Sequence, residues 1–330
     1  MKVILPLAGF GKRMRPHTWS KPKPLLSVAG KTVLAHVLDY VLPLGVDEVV
    51  FIVGWLGDQI REYVATHYAD APFKARFVEQ TELKGQAHAV YLAKEYVHGP
   101  CLFTWVDTLF RADLSGLDRA PADVVAFTIE AEDPRPFGVA VEQDGRVVRL
   151  IEKPPTCEFK QVVVGVYYVA EGEKLIDAIA HLMAQNMQTK GEFYLADAFN
   201  VMLARGATMI TRPVSVWEDC GVPETLLHTN RFLLENGHSH EIPTQHSVLI
   251  PPVYVAPSAQ IENSVVGPYV SIGEGVRLKN VIVRDAIIEE GAVLENSLLE
   301  RSLIGSLVQM RGAMRQVSLG ADSTDLPSEG

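Results

Sequence analysis

The chain has 330 residues, 48% hydrophobic and 21% charged, with 30 Lys+Arg against 40 Asp+Glu for a net charge of −10. That is a globular composition with room for about two domains, and an acidic chain without a Lys/Arg run is excluded from tracking a nucleic-acid backbone. No stretch of about 18 apolar residues is present to span a membrane, and Cys101, Cys157 and Cys220 show neither disulfide nor zinc spacing.

In chain order, the first apolar run, 3–6, is broken by Pro6 and Gly9 and followed by Lys12 and Arg13. A secretory leader has the opposite order, so the expectation is a cytoplasmic protein. Strand patterns follow at 48–53, 75–78, 101–105, 124–130, 138–142 and 162–169, interspersed with helical patterns at 33–42, 57–67, 86–97, 173–185 and 192–205. Repeated strand–helix–strand order predicts an α/β domain with a parallel sheet covered on both faces. Such sheets bind ligands beyond the carboxyl ends of their strands. Asp144-Gly145, between two alternating segments, marks a hairpin.

Past Pro243 the helical period stops. Apolar residues recur at six-residue intervals: Val255 to Ile261, then Val266, Ile272 and Leu278, then Ile282, Ile288 and Leu294, then Leu298 and Ile304, with slips of four or five between patches. This period predicts a β-solenoid whose apolar side chains stack inward from coil to coil; an all-β meander is the alternative. The expected division is 1–240 and 241–330, with a frayed tail over 321–330.

The strongest local signal follows the first strand. Gly9 and Gly11 in Leu7-Ala8-Gly9-Phe10-Gly11-Lys12-Arg13 let the backbone turn and aim N–H groups at a phosphate. Neither the Walker loop nor the dinucleotide fingerprint is matched, since Arg13 follows Lys12 and Met14 replaces a third glycine. Arg13, Lys21 and Lys23, the last two held by Pro22 and Pro24, supply cations suited to a triphosphate. Asp107 and Asp219 each close an apolar run, where a hard cation would find carboxylate oxygens; either alone also reads as a cap or turn residue. The Gln80 amide, five positions before Gly85, can donate and accept at once. A polar loop before a helix is the plain alternative. His88 reads as a helix residue without a chemical task, and Met14 and Trp55 as packing residues.

Gly9-Phe10-Gly11-Lys12-Arg13-Met14-Arg15-Pro16-His17-Thr18 and Pro22-Lys23-Pro24-Leu25-Leu26-Ser27-Val28 resemble the signature of the sugar-1-phosphate nucleotidyltransferases, in particular the long-form glucose-1-phosphate thymidylyltransferases. Lys12 stands where that family usually has Thr, and Ser27 where it has Pro. The resemblance implies a Rossmann-like, mostly parallel mixed sheet followed by a short left-handed β-helix of degenerate hexapeptide repeats. It further implies Arg13, Lys23 and Asp107 as catalytic residues, with Leu7, Ala8, Gly9, Gly11, Lys12, Arg13, Gln80, Gly85 and Asp107 around the nucleotide. Mg²⁺ would be held by Asp107 and Asp219. Gly138, Glu152, Lys153, Val163, Gly165 and Tyr167 would hold the sugar phosphate, with Glu192 either nearby or at a helix start.

The implied reaction joins a nucleoside triphosphate, dTTP or UTP, to a sugar 1-phosphate such as glucose 1-phosphate. A phosphate monoester has a second pKa of about 6, so its oxygen attacks without a general base. Three alternatives stand beside it. A silent, sugar-nucleotide-binding subunit would be expected to lack Lys23, Asp107 or Asp219, and all three are present. An acyl-transferring solenoid needs a histidine, and the histidines end at His246, before the repeats. Guanylyl specificity is the third. Apolar solenoid faces also allow a homo-oligomer.

Overall fold

Runs of apolar residues without alternation make strands covered on both faces, and Val3, Ile4 and Leu5 of β1 (Lys2–Pro6) are fully buried. The computed structural model describes residues 1–244, 246–313 and 321, so the expected frayed tail, Ala321 apart, lies outside the described residues. The chain divides into two units, Met1–Thr229 and Asn230–Gly330. No described helix is long and apolar enough to cross a membrane.

In the first unit, β2 (Ser27–Val28) and β3 (Lys31–Thr32) form a small ladder before α1 (Val33–Val41). Then come β4 (Glu48–Val53), α2 (Gly57–His67), β5 (Lys74–Glu79), α3 (Gln86–Leu92), β6 (Cys101–Phe103) and β7 (Thr108–Ala112). β8 (Val124–Glu130), β9 (Gly138–Gln143), β10 (Arg146–Glu152) and β11 (Gln161–Val169) precede α4 (Gly172–Ala184), α5 (Leu195–Ala204), β12 (Met209–Asp219) and α6 (Pro223–Leu233), the chain passing into the second unit within α6. The sheet order is β5-β4-β1-β6-β11-β8-β12-β7. β5, β4, β1 and β6 pair in parallel through the crossovers α1, α2 and α3, whereas β11 enters antiparallel between β6 and β8. The parallel wing has a functional consequence. The segments after β1, β5 and β6 all leave the sheet at the same edge.

Asp144 and Gly145, both at positive φ, make the expected hairpin between β9 and β10. Two helices are shorter than their patterns. α3 ends at Leu92 because the following N–H groups reach back only three residues, Ala93 to Val90 and Lys94 to Tyr91. α5 starts at Leu195, not 192, because Phe193 spends its backbone on the start of α3: its N–H donates to Lys84 C=O, and its C=O accepts from Ala87 N–H. The sequence patterns did not mark β7, the full length of β12, or α6.

The second unit is a parallel β-solenoid. Register partners lie seventeen residues apart in the first coils, as Val248 to Val265 and Gln260 to Arg277, and sixteen apart later, as Arg277 to Val293 and Val281 to Ser297. Val255, Ile261, Val266, Ile272, Leu278, Ile288 and Leu294 are buried in its core, as the six-residue period predicts. Ile282 and Leu298 break that expectation. They are 54% and 78% exposed, while Val281 and Val283 fill the interior at 0%. The cause is the corner. Asn263, Asn280 and Asn296 occupy equivalent positions at φ 49°, 54° and 51°, a conformation asparagine tolerates. Asn280 Nδ2 donates to Asn296 Oδ1 at 2.8 Å. Turning at Asn280 sends Val281 inward and Ile282 out.

Candidate active site

Beyond β1 the chain keeps one more ladder bond, Leu7 N–H to Ile52 C=O at 2.7 Å, then opens into the glycine loop. Gly11 is left-handed at φ 60°, and a Cβ there would meet Thr18 Cγ2 at 3.0 Å and Lys23 Cβ at 3.3 Å. Thr18 Oγ1 donates to Gly11 C=O at 2.8 Å, fastening the loop over the Lys23 segment. Gly9 differs, having nothing within 4 Å of its Cβ position. It faces open space, where the backbone can approach a ligand.

That space is a cavity of about 410 Å³. Leu7, Ala8, Gly9, Gly11, Lys12, Arg13, Lys23, Gln80, Gly85 and Asp107 all border it. Lys23 Nζ lies 3.0 Å from Asp107 Oδ2, the lysine largely covered and the carboxylate 37% exposed. Asp219 does not border the cavity, but it lies close by. β12 pairs with β7 so that Asp219 faces Thr108, and Cys220 N–H donates to Asp107 C=O at 2.9 Å. Gly221 does border the cavity, and its Cβ position lies 2.7 Å from Asp219 Oδ1 and 3.1 Å from Arg13 Nη2. The structure therefore gathers Arg13, Lys23, Asp107 and Asp219 at one end. Cys220, between the two strand ends, is buried, which pushes its thiol up to about 12.

The other end begins at β5. Gln80 N–H extends the ladder to Val53 C=O at 2.8 Å, and its side chain is buried in the wall. Gln80 Nε2 lies 3.4 Å from Gly85 C=O and 3.3 Å from His88 Nδ1. Both contacts direct its N–H groups into the protein. Gly85, at φ 105°, has Phe193 C=O only 2.5 Å from its Cβ position, so no larger residue fits under that strand of backbone.

The six sugar-side positions form an adjacent group and do not border the cavity. Gly138 pairs with Glu152 and with Val163, and its Cβ position lies 3.1 Å from Glu152 Oε2. Lys153 stands at φ 50° after β10, with Nζ 5.9 Å from the Tyr194 ring centre. Trp105 connects the two groups. It borders the cavity, packs edge-on against Tyr167 at 6.3 Å, and lies 3.5 Å from the Cβ position of Gly165. Burial raises the Glu152 carboxyl above its ordinary range; Lys153 opposes the shift and Asp197 adds to it. Burial also raises the Tyr167 phenol.

Residues 2–236 match the nucleotidyl transferase family. The chain belongs to that family. Residues 240–294 match the GlmU-like C-terminal hexapeptide, in agreement with the solenoid's period. The nucleotidyl transferase chain is 30% identical over 236 residues to the bifunctional protein GlmU of Methanocaldococcus jannaschii, a match covering 71% of this chain and 55% of that protein. It is 29% identical over 308 residues to a glucose-1-phosphate thymidylyltransferase of Streptomyces antibioticus, covering 84% of each. The chain thus spans about half of the first relative and most of the second. A solved UDP-glucose pyrophosphorylase complexed with UDP-glucose superposes with a TM-score of 0.59 at 18% identity, covering 71% of this chain and 98% of that one. That likeness extends the family's fold to three dimensions.

Sequence reasoning missed Trp105 and Gly221 as cavity residues of this nucleotidyl transferase. Both stand beside quoted aspartates, two residues from Asp107 and Asp219 respectively. Glu192 also borders the cavity, which takes it off the α5 start that one reading gave it.

Proposed function

We propose that the cavity takes a nucleoside triphosphate, dTTP or UTP, and that the strands beside it take a sugar 1-phosphate, glucose 1-phosphate first among them. The observation that carries this reading is the gathering of Arg13, Lys23, Asp107 and Asp219 at the end floored by Gly9 and Gly11. A sugar phosphate oxygen attacks the α-phosphorus; the new O–P bond forms as the bond to the β-phosphate oxygen breaks, and its electrons leave with pyrophosphate. The attacking oxygen is already anionic at neutral pH, so no base has to remove a proton. The protein's task is alignment and neutralisation of two polyanions. Arg13 and Lys23 face the triphosphate, Lys153 the sugar phosphate, and Glu152 accepts from sugar hydroxyls.

Two carboxylates on adjacent strand ends suit Mg²⁺, which completes its shell with phosphate oxygens and water. Among the described residues no set of three or more His, Cys, Asp or Glu could hold a metal without such help, so Asp107 and Asp219 would act only together with the nucleotide. Bound there, the ion would supply charge to the triphosphate. The experiment is pyrophosphate release from a matrix of triphosphates and sugar 1-phosphates, with Mg²⁺ and with EDTA. Release restricted to dTTP or UTP plus a hexose 1-phosphate, and abolished by EDTA, is the expected result. Absence of release from every pair would sink the proposal in favour of a silent binding subunit.

A further inference from the structure

The base end of the cavity contains a contact that the reaction chemistry does not use. Gln80 Nε2 sits between Gly85 C=O at 3.4 Å and His88 Nδ1 at 3.3 Å. A carbonyl oxygen only accepts, so the amide nitrogen, not its oxygen, must face Gly85. The second N–H of that nitrogen then meets Nδ1, which must carry a lone pair, leaving the ring proton on Nε2. His88 is buried, and burial followed by nearby Lys84 lowers its pKa, favouring the neutral ring this contact needs. With both N–H groups engaged inside the protein, Gln80 has Oε1 left for the cavity. Among the described residues no other side chain or backbone group donates to that oxygen.

A fixed acceptor selects among bases by sign. Uracil and thymine offer an imide N3–H, which donates. Cytosine has a bare N3, which would place lone pair against lone pair. Without His88 only the long 3.4 Å contact to Gly85 C=O still orients the amide, so a turned amide that presents its NH₂ group and suits cytosine costs less.

We infer that His88 is a positioning residue for base choice, holding the Gln80 amide so that only its oxygen faces the nucleotide and an imide base is selected over cytosine. This rests on the proposal that the cavity takes a nucleoside triphosphate. A site built to pair a ligand N–H rejects an analogue lacking it strongly, because a buried acceptor is left opposed.

The test is steady-state pyrophosphate release by the full chain, with UTP, dTTP and CTP at saturating sugar 1-phosphate, for wild type, His88→Leu and His88→Asn. Wild type is expected to favour UTP or dTTP over CTP by about 100-fold or more in kcat/KM. His88→Leu, of similar volume, should narrow that ratio at least about tenfold through KM, with kcat within about twofold. His88→Asn, whose Oδ1 can replace Nδ1 as acceptor, should restore the ratio. A wild type that uses CTP as well as UTP overturns the inference without recourse to any variant. So does His88→Leu at the wild-type ratio, or His88→Asn as permissive as His88→Leu. In those cases turnover persists and the reading of the cavity as a nucleoside triphosphate site stands; no turnover by wild type with any triphosphate refutes that reading, and this inference with it.

Discussion

The phosphate end of the cavity and the strands beside it hold their charges in opposite ways. Lys23 and Asp107 meet at 3.0 Å with the carboxylate partly in water, so each charge is balanced before any ligand arrives. Glu152 is set into the β9–β10–β11 wall with Gly138 against its Oε2, and burial raises its carboxyl. On the proposed reading, the first arrangement suits a ligand that brings its own negative charge and counter-ion. The second keeps an acceptor short of water, which on the same reading ligand hydroxyls would replace. One region works by charge number, the other by desolvation.

The largest effect should fall on the first region. Lys23→Ala or Asp107→Asn is expected to lower kcat by about 10²–10⁴-fold, measured by pyrophosphate release at saturating substrates. Stability should change little, by about 1 kcal/mol, because the carboxylate end of the pair is partly in water. Turnover within tenfold of wild type would mean that the phosphate end does not act electrostatically. On the second region, Glu152→Gln should raise KM for the sugar phosphate about tenfold and leave KM for the triphosphate unchanged. If both constants rise together, the two regions form one binding unit and the contrast fails.

Much of the phosphate end was legible because its residues are sequential. Gly9, Gly11, Arg13 and Lys23 lie in one short stretch, and the parallel wing sends the segments after β5 and β6 to the same edge. The proximity of Asp219 to Asp107 was not legible. It depends on the antiparallel pairing of β7 with β12, and β7 begins only five residues after β6 ends, too close for a separate strand pattern. The link from Gln80 to His88 was also hidden, since it requires the φ of 105° that Gly85 adopts beneath Phe193. In the solenoid the period was legible and its phase failed only after the corners, at Ile282 and Leu298, because nothing apolar in the pattern announces the turn at Asn280. Burial again decides the outcome there. Val283→Ala should cost about 1–2 kcal/mol and Ile282→Ala within about 0.5 kcal/mol, read from denaturant unfolding. Equal costs would place Ile282 in the core after all.

The smallest effect tests the desolvation half of the contrast directly. Because burial raises the Glu152 carboxyl, the folded chain binds its proton more tightly than the unfolded chain, whose carboxyl titrates near 4.5. This group's contribution to stability is therefore fully present below about pH 4.5 and is lost as pH rises through the raised folded value. Glutamine does not titrate. Without ligand, Glu152→Gln should melt above wild type at pH 7, by at most about a few degrees, and the gap should close as pH falls through the raised folded value toward 4.5. Adding sugar 1-phosphate should reverse the order at pH 7, since only the carboxylate gains ligand hydrogen bonds strong enough to offset its lost water. A gap of constant size across this range would show that burial does not raise the Glu152 carboxyl, and the contrast between the two regions would fail.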